Sequence, residues 1–220
     1  MRLNVKWLFT GLALAVLAAW AWRHSRQDVW PVVNAERLAA GTDRTVLCFG
    51  DSLVAGTGTL PGEPGYPEQL AQRLGCEVRS AGFPGATAAD GLARLRAAPD
   101  LSAGLVIVTL GGNDLLQQVP WAETERGLRA VFREFQSRGA VVAFTGVEFP
   151  LFGGDLRGRQ RRLCRECGVL FIPNILGGIL TDSALRADQV HPNRVGYGKV
   201  AERVAARVRK LTGSAVAGGG

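Results

Sequence analysis

Leu105-Val106-Ile107-Val108-Thr109-Leu110-Gly111-Gly112-Asn113-Asp114 is the stretch on which the fold turns. Its first six residues are apolar or β-branched, with no polar–apolar alternation. A strand with one wet face alternates, whereas an unbroken run marks a strand covered on both faces, as in a parallel sheet between helices. The paired glycines then end the strand. Moving outward, residues 88–98 read as a helix with Leu92 and Leu95 on one face. On the other side Pro120 opens a helix to Ser137, with Leu128, Val131, Phe132 and Phe135 at core spacing. Residues 140–145 form the next buried strand. Residues 45–49 are a strand ended by Gly50, and residues 51–65, rich in Gly and Pro, are loop. A helix over 66–74 closes at Gly75, followed by a strand over 77–81. The chain ends with a helix over 156–167, a strand over 169–172 and a helix over 194–211. There is no internal repeat.

Strands and helices thus alternate. The order predicts an α/β fold: a three-layer α/β/α sandwich with a parallel sheet, flavodoxin-like. In such sheets sites form at the carboxyl ends of strands. The segments after Gly50, Gly82 and Gly111 fall there.

The flanks carry a different message. Residues 7–22 hold no charge and are mostly Leu, Ala, Val and Trp, with Arg2 and Lys6 before them. As a helix these residues span about 24 Å, short for a membrane crossing. Snorkelling basic residues and interfacial Trp7, Trp20 and Trp22 extend the reach. Ala19-Trp20-Ala21 loosely fits a signal-peptidase site. The bracketing Trp residues and the following Arg23, His24 and Arg26 favour an uncleaved anchor. Either reading implies export, to the periplasm or to a periplasmic domain on the inner membrane. The expected division is an anchor or signal over 1–27, a polar linker with a short helix over 28–43, a folded domain over 44–211 and a disordered tail over 212–220. Arg2, Lys6, Arg23 and Arg26 take +4 of the net +7, leaving +3 for residues 28–220. No aromatic–basic interleaving suggests nucleic-acid binding. The Arg-rich run from 157 to 165 reads as a solvated helix face rather than an anion site. Cys164-Arg165-Glu166-Cys167 is a lone CxxC late in a helix. It lacks the further ligands of a zinc site and the placement of a redox motif, and a disulfide there stays open. Cys48 and Cys76 read as structural.

Four clusters carry chemistry: Gly50-Asp51-Ser52-Leu53, residues 82–85, Gly111-Gly112-Asn113-Asp114, and Asp188-Gln189-Val190-His191-Pro192. A serine hydroxyl needs a base, and the base an orienting group. His24 lies beside the apolar segment, so His191 is the candidate base within the domain. Asp188, three residues earlier, can reach its Nδ1. The backbone N–H groups of Ser52 and Gly85 and the Asn113 amide are candidate oxyanion donors. Each cluster alone is an ordinary turn; their order on one sheet edge is the signal.

In these clusters the chain resembles the GDSL or SGNH hydrolase superfamily. Ser52, Gly85, Asn113 and His191 match its four blocks and Asp188 its acid. The resemblance extends over residues 44–211 and is closest to small bacterial esterases, lysophospholipases and thioesterases. It implies a serine esterase that uses no cofactor or metal and acts on a small-molecule or lipid ester. Gly85-Ala86 departs from the commoner Gly followed by a polar residue. Val54 excludes the Gly-x-Ser-x-Gly elbow. Rival readings are an acyltransferase or carbohydrate O-acetylesterase on the same fold, a non-catalytic binding module, and a metal-dependent phosphoesterase using Asp51, Asn113, Asp114, Asp188 and His191. The acyl pocket is expected among residues 54–67, 115–121 and 147–156; Phe149, Leu151 and Phe152 either hold an acyl chain or simply pack, and Gly153 and Gly154 read equally as hinges of a lid or as a plain turn.

Overall fold

The computed structural model describes residues 30–41, 43–148 and 155–217. Five strands form one wholly parallel sheet: β1 (Val46–Gly50), β2 (Val78–Gly82), β3 (Leu105–Thr109), β4 (Val141–Thr145) and β5 (Leu170–Ile172). Their spatial order is β2-β1-β3-β4-β5, the flavodoxin-like order in which the first crossover and the later ones run to opposite sides. The helices between them are α2 (Tyr66–Leu74), α3 (Ala88–Ala97), α4 (Gly112–Leu116), α5 (Trp121–Ser137) and α6 (Leu156–Cys167). α1 (Ala35–Ala39) precedes β1 and α7 (Arg194–Ala217) closes the chain.

The unbroken apolar runs have the burial their composition demands. Every residue of β1, β3 and β4 is buried. On one face Cys48, Ile107 and Ala143 pack with Tyr66 and Leu70 of α2 and Tyr197, Val200 and Val204 of α7. The alternate residues face α3, α5 and α6, where Phe49 meets Phe135 edge-on at 5.1 Å and Phe132 meets Phe144 at 5.3 Å. Such pairs add about 0.5–1.5 kcal/mol beyond the area they bury. β2, at the sheet edge, is only half buried.

Three differences from expectation have local causes. Residues 112–116 form the extra helix α4, begun by Gly111 at φ +94°. The last helix passes the expected end at Leu211 and runs to Ala217. The segment before β1 is tied to the domain: Asn34 donates from Nδ2 to the carbonyls of Gln136 and Ala140 at 3.0 and 2.9 Å. Among the described residues no helix is long and apolar enough to cross a membrane; the expected segment over residues 7–22 lies outside them, as do Phe149, Leu151, Phe152, Gly153 and Gly154. All four cysteines are free thiols.

Candidate active site

Four chain segments meet at the carboxyl edge of the sheet. β1 ends at Gly50, where a Cβ would stand 2.1 Å from the Thr109 carbonyl oxygen. Only glycine lets β1 turn there. Asp51 continues the ladder by donating its N–H to Thr109 O at 3.1 Å. Its carboxylate Oδ1 accepts the Leu53 N–H at 3.0 Å. This tight turn lifts Ser52 above the strand end. β2 ends at Gly82, and the next turn holds Gly85 at φ +80°, a conformation few side-chain-bearing residues adopt. β3 delivers Asn113 on α4. A turn-rich segment after β5 delivers Asp188 and His191, and Asn193 then caps α7 by accepting the N–H groups of Val195 and Gly196, both at 3.0 Å.

Ser52 Oγ lies 3.0 Å from His191 Nε2, and His191 Nδ1 lies 2.7 Å from Asp188 Oδ2. Asp188 Oδ1 accepts the backbone N–H groups of Val190 and His191, both at 2.8 Å. The carboxylate is thereby fixed on its own loop although its side chain is half exposed. Burial pushes the Asp188 carboxyl up, but the hydrogen bonds from the His191 ring and the two N–H groups outweigh it and hold it below the ordinary value. It is therefore ionised wherever an imidazolium needs a counter-charge.

The backbone N–H groups of Ser52 and Gly85 donate to no acceptor among the described residues. Asn113 Nδ2 is 3.0 Å from the Ala86 carbonyl, to which it donates, and 3.5 Å from Asp51 Oδ2. Ser52, Gly85, Asn113 and His191 line one cavity of about 260 Å³, whose apolar walls are Leu53, Pro84, Leu116, Val147 and Val190. A larger cavity of about 370 Å³ lies across α4, between Leu115, Trp121, Leu128 and Leu156. Neither Ser52 nor His191 lines it, so volume alone does not locate the chemistry.

All five residues singled out in the sequence, Ser52, Gly85, Asn113, Asp188 and His191, come together. The rival metal reading also used Asp51 and Asp114, whose carboxylates are committed elsewhere. Asp114 Oδ2 accepts the Ala88 N–H at 2.9 Å and ties α4 to the start of α3. Among the described residues no three His, Cys, Asp or Glu side chains converge in the manner of a metal site. The sequence reading missed Tyr197, which donates its hydroxyl to Thr57 O at 2.7 Å and clips α7 to the serine loop. A lone tyrosine in an amphipathic helix gives no such signal. It also missed how deeply Asp51 is buried, at 2% exposure.

A parallel α/β/α sandwich with a serine, a histidine and an acid in hydrogen-bonded line at its carboxyl edge defines the class of serine hydrolases. The comparisons narrow that class. The model of the GDSL-like Lipase/Acylhydrolase family matches residues 48–199, and the chain belongs to that family. It is 29% identical over 175 residues to Esterase TesA of Pseudomonas aeruginosa, covering 73% of this chain and 86% of that one. It is 28% identical over 182 residues to Thioesterase 1/protease 1/lysophospholipase L1 of Escherichia coli K12, covering 79% and 86%. A crystal structure of TesA superimposes with a TM-score of 0.70 at 27% identity, covering 76% of this chain and 99% of the other. The chain is accordingly an enzyme of the carboxylic ester hydrolase class.

Proposed function

We propose that this protein hydrolyses acyl esters and thioesters, lysophospholipids among them, through an acyl intermediate on Ser52. One observation carries the reading: the unbroken line Asp188 Oδ2, His191 Nδ1, His191 Nε2, Ser52 Oγ, with links of 2.7 and 3.0 Å. His191 Nε2 takes the hydroxyl proton as Ser52 Oγ attacks the ester carbonyl. Asp188 holds the ring tautomer and balances the imidazolium. The negative oxygen is received by the N–H groups of Ser52 and Gly85 and by Asn113 Nδ2. The imidazolium then protonates the leaving alkoxide or thiolate. Water, deprotonated by the same histidine, releases the acid and restores Ser52.

The apolar cavity beside Ser52 supports an aliphatic acyl group. The name of the Escherichia coli relative joins thioesterase and lysophospholipase activity and supports the lipid-ester reading. The uncharged, Trp-bracketed residues 7–22 support export and an inner-membrane anchor over residues 1–27. A periplasmic hydrolase domain then follows, with the segment around Asn34 and the last turns of α7 as part of it. The test is turnover of p-nitrophenyl esters from acetate to palmitate, with chelator and with Ser52→Ala. Chelator-insensitive hydrolysis that Ser52→Ala abolishes supports the serine mechanism. A strong preference for acetate over long chains refutes the lipid substrate. A mature chain beginning after Ala21 refutes the anchor.

A further inference from the structure

Asp51 is a buried carboxyl with no cationic side chain bonded to it among the described residues, beside a site that must stabilise a negative oxygen. Burying an acid this way costs several kcal/mol where a neutral residue would cost little. Its Oδ1 closes the turn at Leu53, which an asparagine oxygen would do equally well. Its Oδ2 lies 3.5 Å from Asn113 Nδ2, and a Cβ on Gly112 would stand 3.7 Å from that same oxygen. The carboxyl therefore fills the space under the start of α4 and faces the Asn113 amide.

An asparagine side chain has two nearly isosteric flips. Only the flip with NH₂ toward the cavity can serve an oxyanion; the other presents a carbonyl oxygen and repels it. Ala86 O and Asp51 Oδ2 both face Nδ2. We infer that Asp51 is a positioning residue that, with the Ala86 carbonyl, locks the Asn113 carboxamide with its NH₂ toward the oxyanion site. The inference rests on the reading of Asn113 as an oxyanion donor. An ionised carboxylate offers only acceptors, so it tolerates one flip; a carboxamide at 51 offers either edge and removes the preference. The contact at 3.5 Å is long, which leaves the second Nδ2 hydrogen available to a stronger, negative acceptor formed in the cavity.

Burial raises the Asp51 carboxyl to about 7. The titrating groups that face it are His191 on the loop before α7, Asp114 on α4, Tyr66 on α2 and Tyr197 on α7. The lock is firm above that pH and loosens below it.

A double-mutant cycle on the full chain tests this. Asn113→Ala is expected to lower kcat by about 10²–10³. Asp51→Asn is expected to lower kcat by about tenfold, the scale of a lost hydrogen bond to a charged group, with KM changed far less. In the Asn113→Ala background Asp51→Asn should change kcat by less than about twofold, because the group it positions is gone. An equal loss in both backgrounds, or no loss in either, overturns the inference. A cycle in which Asn113→Ala alone has no effect indicts the oxyanion assignment instead. NMR of the wild-type side-chain amides needs no Asp51 variant: the Asn113 NH₂ signals, assigned by their absence in Asn113→Ala, should titrate with a midpoint near the Asp51 value. Signals that stay fixed through that range overturn the lock.

Discussion

At the scale of single residues, the site is a chain of commitments in which each side chain fixes the next. Ser52 and His191 act as one unit under the proposed mechanism, so their losses should not add. Ser52→Ala and His191→Ala are each expected to cost on the order of 10⁶ in kcat, and the double variant no more. Steady-state kinetics on a p-nitrophenyl ester decides it; additive losses would mean the two groups serve separate steps. Asp51 gives a second prediction, through stability. Its carboxyl is raised in the folded protein from 3.8 to about 7, with burial as the main cause. A raised acid stabilises the fold relative to its ionised form below the unfolded value, and that contribution is lost as pH climbs through the folded value. Wild type should therefore weaken relative to Asp51→Asn between roughly pH 4 and pH 7, by about 4 kcal/mol at most. Urea melts of both proteins at pH 4 and pH 8 check the sign; a gap that widens toward acid refutes it. Ser52, Gly85, Asn113, Asp188 and His191 were singled out in the sequence by the order of their clusters at successive strand ends, and the fold brings them together. The burial of Asp51 was not legible, since a carboxylate after a glycine is ordinarily a solvated turn and only its depth in the fold makes it costly.

At the scale of elements, the strands were legible to within a residue at each end, and the short helix after β3 was not. Unbroken runs such as residues 105–110 and 140–145 leave little choice but a doubly covered strand. The helix α4 escaped notice because it is one short turn opened by two glycines, residues that ordinarily argue against helix. What holds the site is the meeting of strand ends with loops. At Gly82 a Cβ would lie 2.2 Å from the Ala55 nitrogen and 2.6 Å from its Cα, so the serine loop lies directly on the backbone of β2. Gly82→Ala must push backbone against backbone and is expected to destabilise by about 1–3 kcal/mol or more, read from the midpoint in urea. The opposite wall depends on Tyr197, fully buried with its hydroxyl on Thr57 O at 2.7 Å. Burial raises its phenol above the ordinary range, with the Asp51 and Asp188 charges adding to it, so it stays a donor. Tyr197→Phe leaves the Thr57 carbonyl without that donor and should cost about 1–3 kcal/mol. The same loss frees the serine loop from α7, so kcat should fall while KM moves little. A variant that is destabilised yet keeps full kcat would show that the serine loop holds its place without α7.

At the scale of the whole molecule, the question is why an ester hydrolase should carry the apolar residues 7–22 ahead of its domain. The strands, helices and site described here lie from Val32 onward. The domain's remaining charge of +3 is modest for a surface that must find a membrane by itself. Under the proposed anchor a tether would do that work instead: it would turn an encounter in three dimensions into one confined near the bilayer, and raise the local concentration of lipid without any new contact in the site. The proposal of an anchor and that of a lipid substrate therefore make one joint prediction. The full chain reconstituted in vesicles and residues 28–220 in solution should hydrolyse p-nitrophenyl acetate at matching rates, because a water-soluble ester ignores the tether. On a lysophospholipid dispersed in the same vesicles the full chain should be faster by about 10²-fold or more at equal enzyme. Equal rates on both substrates would separate the two ideas. The segment would then serve export alone, and the acyl cavity beside Ser52 would have to draw its substrate from water.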